Sequence, residues 1–369
     1  YDMDGGKLSV DVDETDFFRN LANEIDEDEL SRISSDLLTG IELDKQSRKE
    51  WMETRATGIR LLGLKLEEPR GDIGGGNQPL EGMSQIRHPL LLEATIRFQA
   101  NARGELLPAS GPVKVRNALP MKPEEPNNPF QSPMQGHNNP PDEPDANQMD
   151  DLATALEKDM NHFLTVTATE YVPDTDRMLF YVGFGGDGFK KVYNHILKRR
   201  PVSESVDAED IIVSNAATDI KNCARFTHRI RMRPSMLRRM QLAGAYRDVP
   251  MAAPNPSTET TAPEQEKADI GGYRPSPMQP KDAEYEIFEC YCELDIDQFA
   301  PKQFKGKGLP LPYVVTMERD SRQVLAVTRN WDESDEQCLA KQFFVQFPFI
   351  RGLGFYGLGG RFRPIGEIT

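Results

Sequence analysis

The chain has no apolar run of the roughly 20 residues needed to cross a bilayer, although 38% of its 369 residues are hydrophobic. Its N-terminal segment, YDMDGGKLSVDVDET, lacks the basic start and apolar stretch of a secretory signal peptide. These absences favour an intracellular protein that makes no membrane contact. The first residue is Tyr1 rather than methionine, which indicates a fragment or a processed start.

Cysteine and histidine are also scarce. The four cysteines are Cys223, Cys290, Cys292 and Cys338, and their irregular spacing argues against a disulfide scaffold or a structural zinc site. Cys290 and Cys292 alternate on a predicted strand, where small core residues are expected. The five histidines form no H-x-x-x-H pattern, and no G-x-S-x-G nucleophile elbow occurs. We therefore predict neither a metal site nor a catalytic nucleophile.

A glycine pattern typical of phosphate-binding loops does occur, in the stretch LFYVGFGGDGFKKVY at residues 179–193. Gly183, Gly185 and Gly188 match G-x-G-x-x-G. Such a loop follows a strand and opens a helix, because N–H groups at the helix N-terminus face the anion. The pattern alone is therefore weak, and its structural context decides its meaning.

The context here is reversed, because residues 174–184 are predicted as a helix and residues 189–197 as a strand. Lys190 and Lys191 are not followed by Ser or Thr, as a Walker loop requires. We therefore expect no cofactor and a structural turn formed by Gly183, Gly185, Gly186 and Gly188. The alternative is an enzyme that binds a nucleotide or phosphate at the Gly183–Gly188 loop.

Negative charge exceeds positive charge, with 59 acidic against 44 basic residues and a formal net charge of −15. The excess is concentrated in residues 1–29, which hold eleven acids against Lys7 and Arg19. This composition predicts a solvated, disordered leader over residues 1–27.

Positive charge is concentrated in residues 223–247, CARFTHRIRMRPSMLRRMQLAGAYR, which contain no acid. Guanidinium groups at this density pair with phosphates or with carboxylates of another subunit. The candidate residues for a subunit, partner or DNA interface are Arg225, Arg229, Arg231, Arg233, Arg238 and Arg239. The alternative is that these arginines pair with acids of the same chain.

Hydrophobic spacing predicts an α+β fold. Helices are predicted over residues 28–64 with a break after Asp44, over 89–107, over 150–168, from Asp174 onward, and over 235–249. From residue 189 the period changes to two, which predicts a hairpin around the KRRP turn and a three- or four-strand meander after residue 283.

Composition divides the chain further. The segments are an acidic leader (1–27), a helical region (28–107), a Pro/Asn-rich linker (108–150), an α+β region (151–249), a second linker (250–282), a β-meander (283–358) and a tail (359–369).

Several segments, taken in order over residues 28–358, resemble the N-terminal half of a tailed-bacteriophage portal protein of the short-tailed-phage type. They include SRKEWMETRATGIRLLGLK, DRMLFYVGFGGDGFKKVY, CARFTHRIRM, LPYVVTMERDSRQVLAVTRNW and FPFIRGLGFYGLG. The resemblance implies a structural protein rather than an enzyme, with the helices and antiparallel hairpins of the portal wing. It also implies that the glycine run joins a helix to a hairpin and binds no nucleotide.

The same resemblance implies a location and partners. The expected assembly is a dodecameric ring at one capsid vertex of the virion, put together in the host cytoplasm, through which double-stranded DNA passes. The expected partners are the terminase, head-completion or tail proteins, the coat protein and the scaffold. In the family, GFYGLG leads into stem and clip helices, whereas this sequence continues GRFRPIGEIT. This difference predicts a shortened portal chain.

Overall fold

The computed structural model describes residues 16–63, 89–116, 146–195, 198–255, 260–273, 282–349 and 354–356. Within them, five α-helices are followed by four strands, two further helices and four further strands. The helices are α1 (Glu27–Ser47), α2 (Lys49–Leu62), α3 (Leu90–Leu106), α4 (Ala146–His162), α5 (Tyr171–Gly185), α6 (Pro234–Leu242) and α7 (Ala262–Gly271). The strands are β1 (Asp187–His195), β2 (Arg200–Val206), β3 (Ile211–Ile212), β4 (Arg225–Met232), β5 (Tyr285–Leu294), β6 (Leu311–Glu318), β7 (Val324–Arg329) and β8 (Phe344–Pro348).

The strands form two antiparallel sheets, which confirms the α+β class. One has five strands in the order β3-β4-β5-β6-β7, and the other has three in the order β2-β1-β8. The predicted hairpin is β1-β2, in which Phe189 pairs with Val206 and His195 with Arg200.

The main core lies between α1 and one face of the larger sheet. Leu30, Ile33, Leu37 and Ile41 recur every three or four residues, and all four are buried against alternate residues of the strands. The opposing strand residues are Phe288, Cys290, Tyr313, Val315 and Met317. Acidic side chains in the first turn of α1 complement the positive end of its dipole. The helix breaks at Arg48, four residues beyond Asp44.

A second core joins the two sheets and α2. Phe189 and Phe344 come from the smaller sheet, Phe226 from the larger sheet, and Trp51 from α2. The ring of Trp51 stacks on that of Tyr356 with centroids 4.3 Å apart.

Residues 17–25 were predicted as part of the disordered leader, but in the structure they pack into the main core. Leu21 is fully buried and Ile25 nearly so. Asn20 donates to the Leu325 carbonyl and accepts from the Val327 N–H, which covers the exposed edge of β7. The acids of residues 1–29 dominated the composition, so the apolar residues that anchor this stretch were overlooked.

Two further predictions were wrong in detail. β8 does not extend the meander but leaves it to pair with β1, with Lys190 opposite Val345, because Phe344 finds its apolar partners in the second core. Asp174 is not a helix N-cap, since α5 begins three residues earlier at Tyr171.

The second predicted linker, 250–282, contains α7. This helix opens with a capping box in which Thr261 accepts from the Glu264 N–H and Glu264 accepts from the Thr261 N–H. The Pro, Ser, Thr and Glu residues of this segment predicted a linker, whereas the Thr-x-x-Glu pattern indicates the start of a helix.

Other predicted features lie outside the described residues. They are residues 1–15 of the leader, the 64–88 loop, most of the first linker and the tail (359–369). The division into seven segments stays a prediction. Among the helices that the structure describes, none has the length and apolarity of a membrane span.

Candidate functional site

The glycine run forms the exit of α5 into β1, so the predicted order of helix, turn and strand is present. Gly186 ends the helix in the left-handed conformation, with φ 79°, and its N–H donates to the Val182 carbonyl at 3.0 Å. An L-residue adopts this conformation only at a cost, which explains glycine here. Gly183 and Gly185 are helical, and Gly188 lies within β1.

The space beside the other glycines is filled by protein side chains. A Cβ at Gly183 would meet Phe98, and one at Gly185 would meet the guanidinium of Arg55. A Cβ at Gly188 would lie 2.6 Å from Val182 Cγ2. These glycines therefore permit close packing of α2, α3 and α5, and the run presents no open cradle for a phosphate.

Paired alanine substitutions test the packing role of Gly188. We expect Gly188→Ala to lower the free energy of unfolding by about 1–3 kcal/mol, because its Cβ meets Val182 and Met178. Gly104, exposed on α3 with nothing within 4 Å of a built Cβ, is the matched control. Gly104→Ala should raise stability by about 0.5–1 kcal/mol. Urea unfolding measures both, and a neutral Gly188→Ala would contradict the packing role.

The two lysines after the glycines point into the protein. Lys190 Nζ donates to Thr175 Oγ1 at 2.7 Å and lies 4.5 Å from the centre of the Tyr171 ring. Burial lowers the pKa of Lys190, and Asp174 opposes that shift. Lys191 Nζ bonds Glu289 Oε2 at 2.5 Å. Neither ammonium group is therefore placed over the glycine run, where a nucleotide phosphate would lie.

The six candidate arginines lie on β4, at the start of α6 and along α6. Five of them reach carboxylates of the same chain: Arg225 with Asp44, Arg229 with Asp210 and Glu264, Arg231 with Glu264, Arg233 with Glu284, and Arg238 with Asp248. Burial lowers the pKa of Arg229, but Asp210 and Glu264 outweigh it and the net shift is upward. Arg229 thus acts within the chain as a buried ion-pair partner.

The arginines differ in exposure, and this separates internal from outward groups. The Arg229 side chain is 6% exposed, whereas that of Arg233 is 81% exposed. Arg238 and Arg239 are also exposed, on α6. An interface role for the whole cluster stays a prediction, and the outward residues are the ones positioned for it.

A buried ionic cluster around Arg55 was missed by the sequence analysis. Arg55 of α2 donates through Nε to Glu209 at 2.7 Å and through Nη2 to Asp207 at 2.6 Å. Lys267 of α7 donates to both carboxylates. Burial raises the pKa of Asp207, but the charges of Arg55 and Lys267 outweigh it and lower the pKa overall.

A sequence signal for this cluster exists. Arg55 lies midway between Trp51 and Ile59 on the buried stripe of α2, and a charge at such a position needs a partner. Its partners are more than 150 residues away, so the pairing could not be read from spacing.

Nothing in the described part of the chain offers a metal site, since no group of three or more His, Cys, Asp or Glu side chains is suitably placed there. The cysteines form no disulfides. Cys290 is in the core as predicted, and Cys292 is half-buried. Burial raises the pKa of the Cys292 thiol to about 12. A thiol with that pKa is protonated at neutral pH and is a poor nucleophile or metal ligand.

Comparison with known protein families gives a match over the region just described. The family model of the phage SU10 portal protein matches residues 138–347, which include α4 to α7 and nearly all of both sheets. No curated protein gave a significant match. The matched region is more than half of the chain, and it contains the helix-to-hairpin exit at the glycine run. The chain therefore belongs to the phage SU10 portal protein family.

Proposed function

We propose that this protein is a subunit of the portal ring at a capsid vertex, through which double-stranded DNA enters and leaves the phage head. The family match over residues 138–347 carries this proposal. The expected subunit number is twelve, following the resemblance seen in the sequence. The proposed role is structural, so it depends on contacts between subunits and with partner proteins.

The contacts within the chain support a structural role that requires a rigid body. Ion pairs and apolar side chains join α2, α7 and both sheets, which gives a body that can keep its shape in a ring. Outside the acidic residues 1–29 the chain is still mildly acidic, and this also fits a passage for DNA, because strong binding to the phosphate backbone depends on an excess of lysine and arginine. DNA would then pass without being held and without its sequence being read.

The proposed partners follow from the same role. The terminase would feed DNA into the ring, and head-completion or tail proteins would close it. The coat protein and scaffold would surround it during assembly in the host cytoplasm. The outward arginines of α6 are candidates for contacts with a neighbouring subunit or one of these partners.

Negative-stain electron microscopy of the purified chain tests the proposal. We expect ring-shaped particles with a central opening, because each subunit carries the surfaces that join it to the next. Compact single-chain particles alone, at every concentration examined, would contradict a portal ring formed by this chain.

A nucleotide-binding enzyme at the glycine run is the competing function, and thermal unfolding distinguishes it. We expect ATP or NAD to leave the Tm unchanged, because side chains fill the space beside the glycines. A ligand at 100 times its Kd would stabilise the fold by about 2.7 kcal/mol. A rise in Tm that corresponds to such a stabilisation would favour the enzyme. Gly185→Val is a poor control, since its side chain would clash with Arg55 and disturb folding by itself.

A further inference from the structure

Helix α4 exposes an apolar stripe that a stable monomer would normally bury. Leu152, Leu156 and Met160 follow one another at intervals of four, so they lie on one face of the helix. Their exposed fractions are 64%, 48% and 41%. A contiguous set of large apolar side chains in water is typical of a protein–protein contact.

The rest of the chain holds α4 along a different face. Asn161 both accepts from the Val113 N–H and donates to the Val113 carbonyl at 3.0 Å, and Glu157 accepts from the Val115 N–H at 3.1 Å. These are polar contacts to an extended segment, and they leave the apolar stripe uncovered. A 17-residue helix held in this way gains little from its own propensity in water, so a partner on the stripe would stabilise it.

The charge of α4 indicates what kind of surface fits the stripe. The helix contains Asp150, Asp151, Glu157 and Asp159 against the single cation Lys158. Asp159 lies beside the stripe, three residues after Leu156 and seven after Leu152. A partner surface should therefore be apolar with positive charge at its border.

Helix α6 has this complementary character. It buries Leu237 and Gln241, and its opposite face presents Arg239 and Leu242 to solvent. Leu242 is 63% exposed. The helix and the residue before it carry Arg233, Arg238 and Arg239 and no acid.

We propose that α4 of one copy docks its apolar stripe on the outward face of α6 of a neighbouring copy. The two surfaces differ, so the contact is heterologous and repeats from copy to copy until a ring closes. This inference rests on the proposed portal function, and it names the surfaces that join the subunits. Arg239 then acts at the subunit interface, whereas Arg229 acts inside the chain.

Single substitutions on each helix test the interface by light scattering after size exclusion. We expect Leu156→Asp and Leu242→Asp each to weaken self-association at least tenfold, because each places a charge in the apolar contact. Leu339, which is 65% exposed and lies outside both helices, provides the control Leu339→Asp, which should assemble as the original chain does. Far-UV circular dichroism should show an unchanged fold in all three variants.

Mixing the two defective chains gives the sharpest test. Leu156→Asp keeps an intact α6 and Leu242→Asp keeps an intact α4, so one functional interface remains between them. We expect a complex of two chains that neither variant forms alone, and no larger species. A mixture that stays at single-chain mass, or a Leu156→Asp chain that assembles normally, would overturn the α4–α6 contact.

The outcomes also separate this inference from the portal role. Rings that persist in both variants would leave the portal function intact and assign the contact to another surface. A chain that stays single at every concentration, without any substitution, would overturn both.

Discussion

Replacing Arg55 with alanine is expected to lower the free energy of unfolding by about 3–5 kcal/mol, the usual cost of removing one partner from a buried ion pair. The Arg55 side chain is 2% exposed, and that of Glu209 is 3% exposed. Without Arg55, Asp207 and Glu209 keep only Lys267, whose side chain is 34% exposed. Two buried carboxylates would then share one cation, and the ion pairs between α2 and the β2–β3 loop would be lost.

Urea unfolding at neutral pH measures this effect, with Arg32→Ala as the matched control. Arg32 is 69% exposed and pairs with Glu29 one turn away. Exposed pairs of this kind contribute little, so the control should differ from the original chain by less than about 0.5 kcal/mol. An Arg55→Ala chain as stable as Arg32→Ala would show that this cluster does not stabilise the fold.

Removing the Lys191 ammonium group is expected to cost about 3 kcal/mol, because it leaves Glu289 charged in the space between the sheets. Lys191 Nζ lies 2.5 Å from Glu289 Oε2, and His228 Nδ1 lies 3.3 Å from the same oxygen. The Glu289 side chain is 17% exposed. Lys191→Ala tests this contribution, and Lys49→Ala, on a side chain that is 77% exposed, is the control.

The same cluster makes stability depend on pH in the acid range. Burial raises the pKa of Glu289, but the charge of Lys191 and the hydrogen bond from His228 outweigh it and lower the pKa to about 2. The ordinary value is 4.5. The unfolded chain therefore takes up this proton more readily, so the stabilisation is complete above pH 4.5 and is lost as the pH falls towards 2.

A shift of this size corresponds to about 3 kcal/mol. Urea unfolding between pH 5 and pH 2 should show Glu289→Gln losing less stability than the original chain over this window. Parallel curves for the two proteins would show that Glu289 does not carry the acid dependence.

Local patterns predicted much of this fold. The spacing of Leu30, Ile33, Leu37 and Ile41 identified the core face of α1, and the glycines identified the exit of α5 into a hairpin. Both depend on neighbouring residues only. The order of segments along the chain also resembled a portal protein, and the family match confirms that identification.

Features decided by distant residues were not predictable in this way. β8 pairs with β1 more than 150 residues away because Phe344 is buried against Phe226. Arg55 finds its carboxylates at a similar separation. Strand pairing and ion pairing at such distances depend on the tertiary arrangement, which the local sequence predicts only weakly.

The candidate interface was only partly visible in the sequence. The arginine cluster was recognised in the sequence. The structure divides it, because Arg229 on β4 is paired inside the chain whereas Arg239 lies on the outward face of α6. The apolar stripe of α4 has ordinary helical spacing, which is more often typical of a buried face. Its exposure emerges only when the neighbours of α4 are known.

Native mass spectrometry of the purified chain tests the portal assignment most directly, since it counts subunits. We expect one dominant high-mass species that is an integer multiple of the 41.6 kDa chain, with twelve copies. A spectrum containing only the 41.6 kDa chain, at concentrations up to the solubility limit, would contradict assembly into a portal ring.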